Sequence, residues 1–350
     1  MPDRDRSQFS PEELAVVLSY YDLGVIESVT EFKRGSPKSP KIGIVAARGK
    51  FLLKRRGPDK RSVRRIAFAH AIHAHQTTHG FPTARLVPTR DRGELLVRLQ
   101  EDAYELFEFV PGDAFVATPD ETADAGAVLA RFHAGVRDFA IPPDAPRGSY
   151  HDLNAVRTAL NAVPASISSH DSVAGKEADL QAAIACLFEA YDHAAERVQR
   201  IGGGQLPTQI VHADWHPGNL LFRRGCVVAV LDFDSCRVAE RVTDVANGLL
   251  HFSLVTGGPP TQWPDHVDES RLAAFAGGYG AVEPLAVVER EVIPHLMIEA
   301  VIAESVLPIV QTGHFGAWSG YTFLQMVKRK TVWISQNAPR VVELISSPPI

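Results

Sequence analysis

The sequence predicts an α+β protein of two lobes, a small β-rich N-terminal lobe and a larger, mainly helical C-terminal lobe. Three observations predict it. Short runs with strand patterning cluster within residues 25–110, and apolar residues at helical spacing dominate 119–336. The two regions meet at Pro111-Gly112, where the charge balance also reverses. Residues 1–110 carry 19 basic and 14 acidic side chains, residues 111–200 carry 7 and 13, and residues 201–350 carry 10 and 14. The expected lobes are therefore 1–110 and 111–350. At 350 residues, either can bury its own core without a disulfide or metal.

The elements follow in order. Ser10-Pro11-Glu12-Glu13 is a helix start, with a Ser cap, Pro at the first position and acids in the first turn, and the helix is predicted to reach Tyr21. Residues 25–33 and 41–47 read as strands joined by the Gly/Ser/Pro-rich RGSPKSPK. The turn Arg48-Gly49-Lys50 leads into FLLKRR, a strand carrying Lys54. A helix over 61–79 ends at Gly80 and Pro82, and strands at 94–100 and 103–110 complete the lobe. Beyond Pro111 the spacing predicts helices over 119–138, 176–199, 242–254, 268–279, 284–312 and 316–336. The Pro-, Ser- and Ala-rich stretch 140–175 is expected to include a long loop. One strand-rich insert interrupts the helices: a strand at 209–211, the polar loop HADWHPGN, and a hairpin of 220–222 with 226–231 around Arg223-Arg224-Gly225.

Composition excludes several classes. Cys186, Cys226 and Cys236 form no CxxC pair, which favours a reducing, cytoplasmic setting. The start MPDRDRSQFS is charged and lacks the apolar core of a secretory signal. The longest apolar stretch, 295–310, is interrupted by Glu299, Glu304 and Pro308, and reads as a buried helix rather than a membrane span. Residues 33–65 hold 13 basic residues and a single acid, Asp59, so an anionic partner is expected there. Only Phe32 and Phe51 lie near that run, too few for a base-stacking platform, so nucleotide phosphates are preferred to nucleic acid.

The densest polar cluster is His212-Ala213-Asp214-Trp215-His216-Pro217-Gly218-Asn219, followed by Leu231-Asp232-Phe233-Asp234. Phosphoryl transfer needs a carboxylate to orient the attacking hydroxyl, oxygen ligands for a divalent cation, and a cation against the phosphates. Asp214, Asn219, Asp232 and Lys54 are the right types. His-x-Asp with Asn five residues beyond the Asp is the spacing of the protein-kinase catalytic loop. Each residue also has a plainer reading. Asp214 could brace a loop, Lys54 in KRR could be a solvated cation, and Asp234 could assist the metal, contact substrate or be solvated. His70, His73, His75 and His79 have ligand-like spacings on one helix, but no Cys or acid completes a site and packing roles are preferred. A zinc site at His212 and His216 is likewise set aside. Trp318, Phe323 and Trp333 read as core.

The segments IVHADWHPGNLLF and VVAVLDFDS, with YYDLG, FKRGSPKSPKIGIV, GKFLLKRR and YELFEFVPG, resemble the aminoglycoside phosphotransferase and homoserine-kinase-like (choline-kinase-like) family, which has the protein-kinase fold. The resemblance covers roughly residues 10–255. It implies Asp214 as catalytic base, Asn219 and Asp232 as Mg²⁺ ligands, and Lys54 on the α/β phosphates of ATP. It implies a phosphate-covering loop around Gly35 and Ser36, adenine contacts from the backbone of Glu108 to Val110, and structural roles for His212 and Asp244.

Two departures accompany it. The family's acid on the helix after the Lys strand is absent from RSVRRIAFAHAIHAHQTTHG, so Lys54 must find another partner. RGSPKSPKIG is not a G-x-G-x-x-G loop, and the chain has no P-loop motif. The short interval from Asp232 to Asp244 leaves no room for a regulated activation segment, which favours a small-molecule acceptor. The acidic C-terminal lobe suits a cationic hydroxyl acceptor (an amino alcohol, a homoserine-like molecule or an aminoglycoside), with Asp234, Glu299 and Glu304 as candidate contacts. The alternative is a catalytically weak, kinase-like nucleotide-binding or structural protein similar to spore-coat relatives.

Overall fold

The computed structural model describes residues 8–32, 39–56, 62–170 and 174–346. The chain divides into two units: Met1–Asp113 with Val228–Asp234, and Ala114–Val227 with Ser235–Ile350. The result is the mixed α+β class expected from the sequence.

The first unit opens with helix α1 (Pro11–Ser19), held at its start by a reciprocal cap: Ser10 Oγ accepts from the Glu13 N–H and Glu13 Oε2 accepts from the Ser10 N–H, both at 3.1 Å. Five antiparallel strands follow: β1 (Ile26–Phe32), β2 (Lys41–Ala46), β3 (Gly49–Arg56), β4 (Val97–Leu99) and β5 (Asp102–Glu108), in the order β1-β2-β3-β5-β4. Helix α2 (Ser62–Thr78) lies between β3 and β4 in the chain. Strand alternation sends Ile42, Ile44, Phe51, Leu53 and Leu106 into a core shared with Val17, Leu18 and Tyr21 of the α1 region. That parity assigns the neighbouring cations. Lys54 and Arg56 share one face of β3, and Arg55 takes the other, where its guanidinium meets Glu13 at 2.8 Å. Tyr104 Oη donates to the same carboxylate at 2.7 Å, so Glu13 ties α1 to two strands.

The second unit contains α3 (Pro119–Gly135), α4 (Asn154–His170), α5 (Glu177–Gly202), β6 (Thr208–Val211), β7 (Leu220–Arg223) and the start of β8 (Cys226–Val230). Then come β9 (Arg237–Glu240), α6 (Arg241–Ser253), α7 (Glu269–Val282), α8 (Val287–Thr312), the two-residue strands β10 (His314–Phe315) and β11 (Trp318–Ser319), α9 (Gly320–Gln336) and α10 (Ala338–Ser346). Helix α4 occupies the stretch expected to include a loop. Its Val156, Ala159, Leu160, Val163 and Ile167 are buried at helical spacing despite Pro164. Strand β9 and helix α10 were absent from the sequence expectation, and β9 pairs antiparallel with β6, Ile210 opposite Val238.

Helix α8 is long and apolar enough, by length and composition, to cross a membrane. Of its most apolar stretch, 78% is buried inside the protein, where it packs against α4, α5, α6 and α9. It is the central core helix of this unit. Helices α3 and α7 approach so closely that a Cβ on Gly278 would sit 1.9 Å from the Ala123 carbonyl oxygen, and one on Gly126 would sit 2.2 Å from that of Phe275. Only glycine fits at either crossing point.

Candidate active site

The polar loop leaves β6 at His212, and its shape is set from α6. Asp244 Oδ2 accepts the His212 N–H at 2.6 Å and Oδ1 accepts the Ala213 N–H at 2.7 Å. Ala213 has φ +61, a left-handed conformation that costs a non-glycine residue about 1 kcal/mol. The two charge-assisted bonds hold that turn and aim the next residue, Asp214, outward. Asp244 is itself buried and fixed from behind: His133 Nε2 lies 3.2 Å from Oδ2, and His133 Nδ1 lies 2.9 Å from Tyr279 Oη. The expected structural role of Asp244 thus has a defined geometry.

Asp214 keeps 42% of its side chain exposed, which suits a carboxylate that must meet an acceptor. Asn219 Nδ2 donates to Asp214 Oδ2 at 2.8 Å and to the Asp214 carbonyl at 3.0 Å. With Nδ2 so committed, the amide turns Oδ1 away, a neutral oxygen of the kind a hard cation takes. His216 Nδ1 accepts the Gly218 N–H at 3.0 Å, so its proton is on Nε2, 3.5 Å from Asp214 Oδ1. Burial, reinforced by His251 and His212, lowers the His216 pKa and keeps the ring neutral.

Beside His216, with ring centroids 5.9 Å apart, stands His251 of α6. Its Nε2 lies 2.5 Å from Glu304 Oε2, and Asn247, one turn earlier on α6, donates to Glu304 Oε1 at 2.7 Å. Burial opposes charge on both partners, yet the pair holds His251 above and Glu304 below their ordinary values. The two glutamates expected to meet the acceptor have different fates. Glu304 is about one third exposed and belongs to this cluster. Glu299 is a correction: its side chain is wholly buried and accepts from His151 Nδ1 at 2.9 Å and the Asp152 N–H at 2.8 Å, bracing the entry to α4.

In the first unit, Lys54 is buried and finds the partners that helix α2 lacks. Its Nζ lies 2.9 Å from Asp232 Oδ1 and 3.0 Å from Asp234 Oδ2. Burial works against its charge, but the two aspartates raise its pKa overall. The reading of Lys54 as a solvated cation is therefore overturned. Asp232 adopts φ +58, tolerable for Asp. Asp234 is gripped by Arg56 through both guanidinium ends at 2.5 Å; burial resists, but Lys54 and Arg56 hold its carboxyl far below the usual range. Its oxygens face Lys54 and Arg56, while a third of its side chain stays exposed. Arg56 Nε also donates to Glu105 Oε2 at 2.6 Å, and His70 Nε2 of α2 meets Glu105 Oε1 at 2.5 Å. His73 is buried against the Ala84 carbonyl at 2.8 Å, and its pKa is lowered chiefly by burial. These two histidines pack rather than bind metal.

Glu105 and Arg56 were missed from sequence, and His70 was singled out only for its spacing on the helix, not for this acid. Their signal was available in part: Arg56 shares the strand parity of Lys54. At the end of β5, the Glu108 N–H donates to the Arg85 carbonyl at 2.8 Å and the Phe109 N–H to that of Lys50 at 2.9 Å; Val110 is half-buried. Gly35 and Ser36 lie outside the described residues.

Comparison with known proteins bears on this arrangement. Residues 41–287 match the model of a family described as the phosphotransferase enzyme family (APH). A homoserine kinase of Neisseria meningitidis is 26% identical over 287 residues, covering 81% of this chain and 84% of that protein. A homoserine kinase of Gluconacetobacter diazotrophicus is 29% identical over 230 residues, 62% of this chain and 61% of that protein. Among solved structures, an aminoglycoside phosphotransferase from Alicyclobacillus acidocaldarius superposes with TM-score 0.69 at 18% identity, covering 97% of this chain and 99% of that one. A microcompartment-associated aminopropanol kinase does so with TM-score 0.68 at 16% identity, covering 93% and 97%. The fold is the two-lobed kinase-like one implied by the sequence resemblance.

Proposed function

The chain belongs to the phosphotransferase enzyme family and is a small-molecule kinase with a hydroxyl acceptor, and on that premise we propose that it moves the γ-phosphoryl group of ATP, with Mg²⁺, to a small alcohol bearing an ammonium group. A homoserine-like molecule or an amino alcohol fits this description. The observation that carries the reading is the Asp214 carboxylate: exposed, ionisable, and oriented by Asn219 on a loop tied to Asp244.

Asp214 would accept the hydroxyl proton as the acceptor oxygen attacks phosphorus, with His216 Nε2–H beside its second oxygen. Lys54 would lie against the α/β phosphates, exchanging its Asp232 contact for phosphate oxygens while Asp234 still holds its ammonium. The backbone of Glu108 to Val110 would meet the adenine, and the loop at Gly35 and Ser36 would cover the phosphates. The Asn219 Oδ1 and the Asp232 carboxylate are each a donor of the kind a hard divalent ion takes. When bound, that ion supplies neutralisation of phosphate charge. Glu304, partly exposed in the same unit as Asp214, is the acid best placed to meet the acceptor's ammonium.

The test is a coupled ADP-release assay over homoserine, ethanolamine, aminopropanol, choline and an aminoglycoside, after a thermal-shift screen with and without Mg·ATP. Phosphorylation of an ammonium-bearing alcohol is expected. Binding of Mg·ATP with no ADP formed from any of these acceptors would reject the proposal.

A further inference from the structure

We infer that Glu105 is the positioning residue for Lys54, acting through Arg56 and Asp234, and that His70 supplies the contact from helix α2 to this acid. The inference rests on the proposed role of Lys54 at the phosphates.

Helix α2 offers no acid to the Lys strand, but the sheet does. Glu105 stands directly opposite Lys54 in the β3–β5 register, and Arg56, two residues on, shares the Lys54 face. Contacts then run without a gap: His70 to Glu105 at 2.5 Å, Glu105 to Arg56 at 2.6 Å, Arg56 to Asp234 at 2.5 Å, and Asp234 to Lys54 at 3.0 Å. The Glu105 side chain has no solvent exposure, and those of Arg56 and His70 keep 14% each. At such burial each charge needs its partner. The planar fork of Arg56 fixes both oxygens of Asp234, so Asp234 meets the Lys54 ammonium along one direction only. Glu105 in turn fixes the fork by accepting from Nε. The polarity of a helix-acid-to-strand-lysine pair is thereby inverted: the strand carries the acid, the helix carries an imidazole, and a guanidinium passes the constraint to the lysine.

The experiment compares Glu105→Gln, Arg56→Lys, the double variant and Lys54→Met in the full chain. It measures calorimetric Mg·ATP affinity, KM for each substrate, kcat and the thermal midpoint. Expected for Glu105→Gln is about a tenfold loss of Mg·ATP affinity, at the lower end for residues that orient a site's ligands, with acceptor KM unchanged. Arg56→Lys, which keeps the charge but loses the fork, should match it, and the double variant should be no worse than either single. A merely structural role would lower the thermal midpoint and kcat while leaving Mg·ATP affinity intact. That result, beside a Lys54→Met protein that binds weakly, overturns the inference and spares the Lys54 assignment. Unchanged Mg·ATP affinity in Lys54→Met rejects the assignment itself and the inference with it. Should Glu105→Gln fail to fold, Arg56→Lys carries the same comparison.

Discussion

Asn219 Nδ2 donates to Asp214 Oδ2 at 2.8 Å across a single 3₁₀ turn, so the candidate base is oriented by the residue assigned to the metal. A change at either position therefore acts on the other. Asp214→Asn keeps an oxygen for this bond but removes the charge that takes the proton. The expected outcome is a kcat lower by about 10²- to 10⁴-fold, the usual worth of a general base, with Mg·ATP affinity and thermal midpoint little changed. Steady-state kinetics at a rate near wild type would rule Asp214 out as the base.

Asp244 receives the N–H groups of His212 and Ala213 on separate oxygens. In Asp244→Asn one acceptor becomes a donor, and a buried N–H loses its partner. Urea unfolding should show a loss of about 1–3 kcal/mol, the penalty for an unsatisfied buried group. Activity should fall as well, because Ala213 loses the brace that holds its left-handed turn. A variant of unchanged stability would show that the loop does not depend on this carboxylate.

The His251–Glu304 pair makes stability depend on pH in two directions. His251 is held above its ordinary value of 6.5, so its contribution is complete below about 6.5 and fades as pH rises through the folded value. Glu304 is held below 4.5, so its contribution is complete above about 4.5 and fades as pH falls through the folded value. His216, lowered mainly by burial, adds the opposite trend near neutrality: stability is lost as pH falls below 6.5. Denaturant midpoints measured across pH should therefore respond to His251→Gln selectively. The decline above pH 6.5 should shrink, and the decline on acidification due to His216 should remain. An identical profile in the variant would dissociate His251 from the alkaline limb.

Gly278→Ala places a methyl group 1.9 Å from the Ala123 carbonyl oxygen, backbone against backbone, with no flexible side chain to yield. Helices α3 and α7 must separate, at about 1–3 kcal/mol or more for an overpacked contact. His133 of α3 and Tyr279 of α7 move with them, so a loss of kcat should accompany the lowered thermal midpoint. Full stability in the alanine variant would contradict the close crossing.

The loop from His212 to Asn219 was legible because its chemistry is contiguous: base, amide and turn residues fall within eight positions. The β2 strand was legible through strict alternation, and β3 through the turn Arg48-Gly49-Lys50 that leads into it. The acid partner of the Lys54 network was not, because Glu105 reaches Arg56 and His70 across separations of 49 and 35 residues, set by strand register and helix docking. Helix α4 was obscured by composition: Ser, Pro and Ala hid a buried stripe that periodicity alone would have exposed. Strand β9 has four residues and is defined by its pairing with β6, which no local pattern encodes. The acceptor role expected for Glu299 failed because sequence does not reveal that its carboxylate is consumed by His151 and Asp152.

The seven residues Val228–Asp234 belong to the first unit although more than a hundred positions separate them from Asp113. A fragment ending at Asp113 would lack Asp232 and Asp234, and would leave Lys54 and Arg56 with Glu105 as the one remaining acid of the network. The N-terminal unit is therefore not a transplantable cassette. A chimaera that exchanges it between relatives has to carry this downstream heptad as well.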